Sequence, residues 1–265
     1  MDYPDALIQV IAAPDSQTKD ALLATITPPP DGATWPLPTV PQRPGRPASW
    51  REGEPARRRR GLGNPHARLR FLHAIHHIEL SAIDLAVLLC LRAPGAPAAL
   101  HRDFLAVARE EAVHAALVED LLTRRGFPPG SDVIHHRLWD TALAAEDLGG
   151  QLVAVPRFLE ARGLDVSADL LPRLAGIDPE AHGVITRIYT DEIGHVGTGS
   201  RWHAWWCARE GLDPFQHFTS TATRLFPGQV PGPFPLDRPG RQAAGFAEDE
   251  LSWLAIGGKS ASLAP

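Results

Sequence analysis

The chain has 265 residues, 44% of them hydrophobic, and a formal net charge of −5 at pH 7. That length can bury a sizeable core, and that charge gives no global reason for a nucleic-acid or membrane partner. The two cysteines, Cys90 and Cys207, each stand in an apolar, helix-like stretch, which fits two buried free thiols rather than a disulfide framework or a thiolate zinc site.

The N-terminal MDYPDALIQV carries acids and no long apolar run, so it reads as neither a secretory signal nor a membrane span, and the expected location is cytoplasmic. Residues 5–26 suggest a short helix. Residues 28–65 are dense in proline, which removes backbone donors and forbids helix continuation, so an extended arm is expected there. Within it stand four consecutive arginines, Arg57, Arg58, Arg59 and Arg60; without interleaved aromatics they read as a solvated, charged linker rather than a nucleic-acid platform. Helix formers then dominate, predicting long helices over about 66–92, 98–125, 135–172 and 180–210, separated at Pro94, Gly95 and Pro97, at GFPPG, and between Pro172 and Pro179. Beyond Gly211 the sequence returns to Pro and Gly before a short possible helix over 248–254. No stretch alternates with period two for long, so the class is all-α. The expected organisation is an N-terminal extension and Pro/Arg-rich arm over 1–65, a helical domain over 66–211, and a tail over 212–265 packing on it.

Two short motifs carry the chemistry. EEAVH in the second helix puts Glu111 and His114 three apart, DEIGH in the fourth does the same for Glu192 and His195, and that spacing shares one helix face. Glu79 precedes Glu111 by 32 residues and Glu160 precedes Glu192 by 32, so the two sets superpose with an offset of 81. The same offset relates Glu110 to Asp191 and Asp84 to Asp165, and duplication of a helix pair is its simplest cause. One Glu from each of two helices plus Glu-x-x-His from each of the other two is the ligand set of ferritin-like di-iron and di-manganese bundles. The expected fold is therefore a ferritin-like four-helix bundle with a Pro-rich arm and tail.

These residues fall on apolar stripes, Glu79 among Leu72, Ile75 and Ile83, and Glu111 and His114 with Phe104, Val107 and Val118. Charges there are expensive to bury unless compensated. Four carboxylates and two divalent cations neutralise one another. Imidazole and carboxylate without thiolate suits iron first, with manganese or a mixed pair as the alternative. Glu146 is a rival carboxylate on the third segment, and the register favours Glu160. Glu110 and Asp191 are candidate supports for the ligand imidazoles. His76, three before Glu79, is a further neighbour of the site, and Tyr189, three before Glu192, is expected to hydrogen-bond a ligand carboxylate. Trp202, Trp205 and Trp206 read as core packing against the tail.

The stretches RRGLG, HHIELSAIDLA, EEAVH, VPRFLEARGLDV and IYTDEIGHVGTGSRW resemble a bacterial ferritin-like family of unknown function, number 455, from about residue 44 to the AAGF near 246. The resemblance implies a two-metal site on Glu79, Glu111, His114, Glu160, Glu192 and His195 and little about substrate. More distantly the chain is similar to di-iron tRNA hydroxylases and to the ribonucleotide reductase small subunit. From the latter it is expected that Asp191 supports His114 and, by the repeat, Glu110 supports His195. The functional expectation is an oxygen-activating oxidoreductase, monomeric or homodimeric, that hydroxylates or desaturates a small molecule using an external electron donor. Iron storage in a cage and RNA modification are the competing readings.

Overall fold

A computed structural model describes residues 2–54 and 61–256, so the arginine run lies outside the described residues. Among those residues every regular element is helical, and the one bridge pairs Glu52 with Ile134. By contacts the chain divides into two compact units, one of residues 1–140 with 173–184, the other of residues 141–172 with 185–265.

The first unit opens with α1 (Tyr3–Ala12) and α2 (Ser16–Leu23), where a single short helix was expected over 5–26. Two cap residues explain the split. Asp2 accepts from the Asp5 amide and Asp15 from the Thr18 amide, so each starts its own helix. Leu7, Val10, Ile11 and Leu23 are fully buried, and the two helices pack on α3 (Pro65–Leu91) and α4 (Ala98–Arg124). Asn64 caps α3 through the Ala67 amide, with Pro65 at its first position. The turn after α3 needs Gly95 at φ +77, in the left-handed region that a side chain rarely adopts. By length and composition α3 could cross a membrane, but 83% of its apolar window is buried inside the protein.

The described part of the Pro-rich arm forms no helix, and it is docked. The Gly45 amide donates to Ile11 O at 2.8 Å, and a Cβ at Gly45 would stand 2.0 Å from Ala12 O. Arg46 reaches Asp84 Oδ2 at 2.9 Å, and Lys19 reaches Asp84 Oδ1 at 2.7 Å.

The third expected helix, 135–172, is broken. α5 (Arg137–Leu143) ends, Asp147 caps α6 (Leu148–Leu152), and the chain continues as a π-helical stretch, Val153–Glu160, into α7 (Ala161–Ala175). Pro156 sits inside the π-helical stretch, where its missing N–H and its ring are incompatible with an ordinary turn. The break expected between Pro172 and Pro179 falls there, at 176–178, and Pro172 itself lies inside α7. α8 (Pro179–Glu210) follows.

The tail is more ordered than its composition suggests. It holds α9 (Pro214–Leu225), α10 (Arg238–Ala243) and α11 (Glu248–Ile256), with Asp213 and Asp237 capping the first two. Phe218, Phe226, Phe246 and Leu251 from the tail share one core with Phe158 and Leu164. Trp206 packs its indole on Gly149, where a Cβ would meet Nε1 at 2.2 Å, and the Arg209 guanidinium lies over Trp205 and Trp206.

Candidate functional site

In the first unit, α3 supplies Glu79 and α4 supplies Glu111 and His114, all three at most 4% exposed. His114 Nδ1 lies 3.3 Å from Glu111 Oε2 and 3.4 Å from Glu79 Oε2. Burial pushes the Glu79 carboxyl up to about 8; the His114 hydrogen bond opposes that and the Glu111 charge reinforces it. Burial works against a charge on His114, but its hydrogen bonds to Glu111 and Glu79 and their charges together raise it to about 11. Both shifts favour the protonated forms of Glu79 and His114, which reduces the buried negative charge. A group that exchanges protons for a divalent ion is what a metal site needs. The donors are oxygen and imidazole nitrogen; Cys90 is 11 residues further along α3, about 16 Å of helix rise away.

In the second unit, Glu192 and His195 share a face of α8, both buried, with His195 Nδ1 3.9 Å from Glu192 Oε2. Glu160, half-buried, is the last residue of the π-helical stretch, while its rival Glu146 is exposed in the break before α6. The second set thus sits on different local backbone from the first, where α3 is regular around Glu79. Buried His and Glu residues of this kind could bind a metal.

The expected supports are placed as follows. His76 is 2% exposed, with Nε2 3.6 Å from Glu119 Oε2 and its ring against Trp50. Glu110 is exposed on α4, and Asp191 is half-buried and paired with Arg187 one turn earlier on α8. Tyr189 departs from expectation. Its hydroxyl donates to Asp237 Oδ2 at 2.8 Å rather than to a ligand carboxylate, because the ring packs with the tail core beside the α10 cap.

Two features escaped the sequence reading. Asp84 and Asp165, equivalent in the repeat, are both buried and both ion-paired, Asp84 to Lys19 and Arg46, Asp165 to Arg241 at 2.8 Å. Their shared register was visible, but their partners were not. His203, Cys207 and His217 form a compact group in the second unit, signalled only by the four-residue spacing on α8. His203 Nε2 stands 2.9 Å from His217 Nδ1 and 3.6 Å from Cys207 Sγ. Arg157 donates to His203 Nδ1 at 2.9 Å, which places the His203 proton on Nε2. That proton points at His217, so the group is a satisfied hydrogen-bond chain, and burial, Arg157 and His217 hold His203 neutral, down to about 2.

Residues 8–252 match the family model described as "Protein of unknown function (DUF455)". An uncharacterized protein of Haemophilus influenzae is 36% identical over 196 residues, covering 69% of this chain. The chain spans 66% of that relative, just under two thirds of its length. No solved structure matches.

Proposed function

We propose that this chain, which belongs to the DUF455 family, is a two-metal carboxylate protein of the ferritin-like four-helix type. Glu79, Glu111, His114, Glu160, Glu192 and His195 hold the ions, iron first and manganese or a mixed pair as the alternative. The observation that carries this reading is the buried Glu79, Glu111 and His114 group, with one oxygen of each carboxylate within 3.4 Å of His114 Nδ1, repeated in sequence 81 residues later. Four carboxylates balance two divalent ions, which removes the cost of burying them.

An iron pair, when bound, supplies redox chemistry with dioxygen, and the function we assign is oxidation of a small organic substrate with electrons from an external donor. The chain's own contribution is specific. His114, Glu79 and Glu111 would hold an ion between them, and burial keeps bulk water from the three side chains. Glu160 ends a π-helical stretch, a geometry that recurs at functional sites.

The test is metal analysis of protein purified without oxygen, followed by optical spectroscopy on admitting it. We expect about two ions per chain, as a two-metal site requires. Glu111→Ala and His195→Ala should each lose at least half of them while far-ultraviolet circular dichroism stays helical. Unchanged stoichiometry in both variants refutes the ligand assignment, and a cage-sized mass in solution refutes the enzyme reading in favour of storage.

A further inference from the structure

His76 is buried to 2% exposure in the first unit, yet neither of its ring nitrogens has a hydrogen bond. Leaving buried polar atoms unsatisfied is costly, so an unbonded imidazole inside a helix pair calls for an occupant that satisfies it. One edge of the ring faces Glu119, whose Oε2 is 3.6 Å from Nε2, too long for a hydrogen bond. The Glu119 side chain is 46% exposed and so connects this edge to solvent, while the Ser16 hydroxyl holds the same oxygen at 3.4 Å. Trp50 covers the ring, with centroids 5.9 Å apart. His76 lies three residues before Glu79 on α3, on the same face, about 5–6 Å from it by Cβ positions. Glu119, His76 and Glu79 thus form a stepwise series from solvent to the buried ligands.

The repeat supplies an internal control. The position 81 residues after His76 is Arg157, as Glu160 is to Glu79. Arg157 is 2% exposed, paired with Glu250 at 2.7 Å and bonded to His203. A guanidinium does not deprotonate and offers no lone pair, so the side chain three residues before Glu160 cannot ligate a divalent ion. At the matching place in the first unit stands a side chain that can take such an ion and release it. With one carboxylate and one imidazole, it is too poor in ligands to retain the ion against a full site.

From this asymmetry we propose that Glu119 and His76 form the loading site through which a divalent metal ion reaches Glu79, and that the register occupied by Arg157 is closed to it. The proposal rests on the two-metal reading above.

Stopped-flow mixing of chelator-stripped full-length protein with Co²⁺, followed by its ligand-field absorption, tests it. Glu119→Gln and His76→Asn should each slow loading about tenfold, the lower end of what charge at an entrance contributes, and leave the final Co²⁺ stoichiometry unchanged. Asp120→Asn, which removes a neighbouring exposed acid, should leave the rate within about twofold, because general charge does not steer the ion as a placed ligand does. Glu119 is half-exposed, so its variant folds even should His76→Asn fail to. Rates for Glu119→Gln indistinguishable from wild type overturn the loading site while the two-metal reading stands. Lost stoichiometry in either variant also overturns it, making the residue a retained ligand. Wild-type protein that takes up no Co²⁺, Fe²⁺ or Mn²⁺ at all refutes the two-metal reading itself.

Discussion

Asp84 is the sharpest place to perturb the first unit. It is fully buried and neutralises two cations at once, Lys19 Nζ at 2.7 Å and Arg46 Nη1 at 2.9 Å, with the Lys19 side chain 0% and the Arg46 side chain 6% exposed. Asp84→Asn keeps the shape and removes the charge. Lys19 retains the Val10 and Ile11 carbonyls, and Arg46 retains the Gly45 carbonyl and Ser81. Breaking one partner of a buried pair costs about 3–5 kcal/mol, and these residual acceptors put the variant near the lower end, a fall in thermal midpoint of roughly 10 °C. The pH dependence separates this explanation from simple loss of packing. Burial already holds Lys19 below the ordinary lysine value of 10.5, with Asp84 pulling it up and Arg46 pushing it down. Between the lowered folded value and 10.5 the unfolded chain binds more protons, so stability rises with pH in that window. Removing Asp84 lowers the folded value further, and the deficit of the variant should shrink as pH climbs towards 10. Asp165→Asn is the control, since its partner Arg241 cannot shed its proton, and its deficit should stay level over the same range. Thermal melts of the three proteins from pH 7 to 10 make the comparison. Parallel deficits, or a loss at Asp84 below about 1 kcal/mol, refute the charge argument.

Two further outcomes follow from packing and protonation. Acid should destabilise the protein ahead of any carboxylate effect: burial first of all holds His77 at about 3, His101 at about 4 and His203 at about 2, so each contributes stability that is present above the ordinary value of 6.5 and lost as pH falls below it. A thermal midpoint flat from pH 6.5 to 4.5 would contradict this. Gly199→Ala should cost about 1–3 kcal/mol in urea titration, since the added Cβ would stand 2.4 Å from Pro156 Cγ inside the π-helical stretch; a neutral result would mean that the stretch is not held there.

The positions of the proposed ligands could be picked out in the sequence because helical spacing is local information. Glu111 with His114, and Glu192 with His195, need only helical phase, and the 81-residue offset needs only counting. Burial of Glu79, Glu111, His114, Glu192 and His195 follows from the apolar stripes that carry them. What was not legible is tertiary. Nothing near Asp84 or Asp165 in sequence announces partners 38 and 76 residues away in Arg46 and Arg241. Tyr189 likewise finds Asp237 at a separation of 48 residues. The tail helices were hidden for a different reason. Pro214 reads as a breaker, yet at the first turn of α9 it is a starter, and the apolar spacing of Phe218 and Ala222 then does the rest.

The repeat also shows which parts of the chain each set of proposed ligands depends on. Asp84 lies five residues after Glu79 and Asp165 five after Glu160, and neither repeat contains the cation that satisfies its own aspartate. In the first unit those cations, Lys19 and Arg46, come from α2 and the arm; in the second, Arg241 comes from the tail, which also lays Phe246 against both Arg157 and Arg241. The arm and tail therefore do one job at one register from opposite ends of the chain, neutralising the buried charge beyond a proposed ligand glutamate. A chain cut back to 66–211 would keep all six proposed ligands and leave two buried carboxylates without partners, at about 3–5 kcal/mol each. That is comparable with the whole stability of a typical domain, about 5–15 kcal/mol, so the low-complexity ends are part of what the helices carrying the proposed ligands need in order to fold.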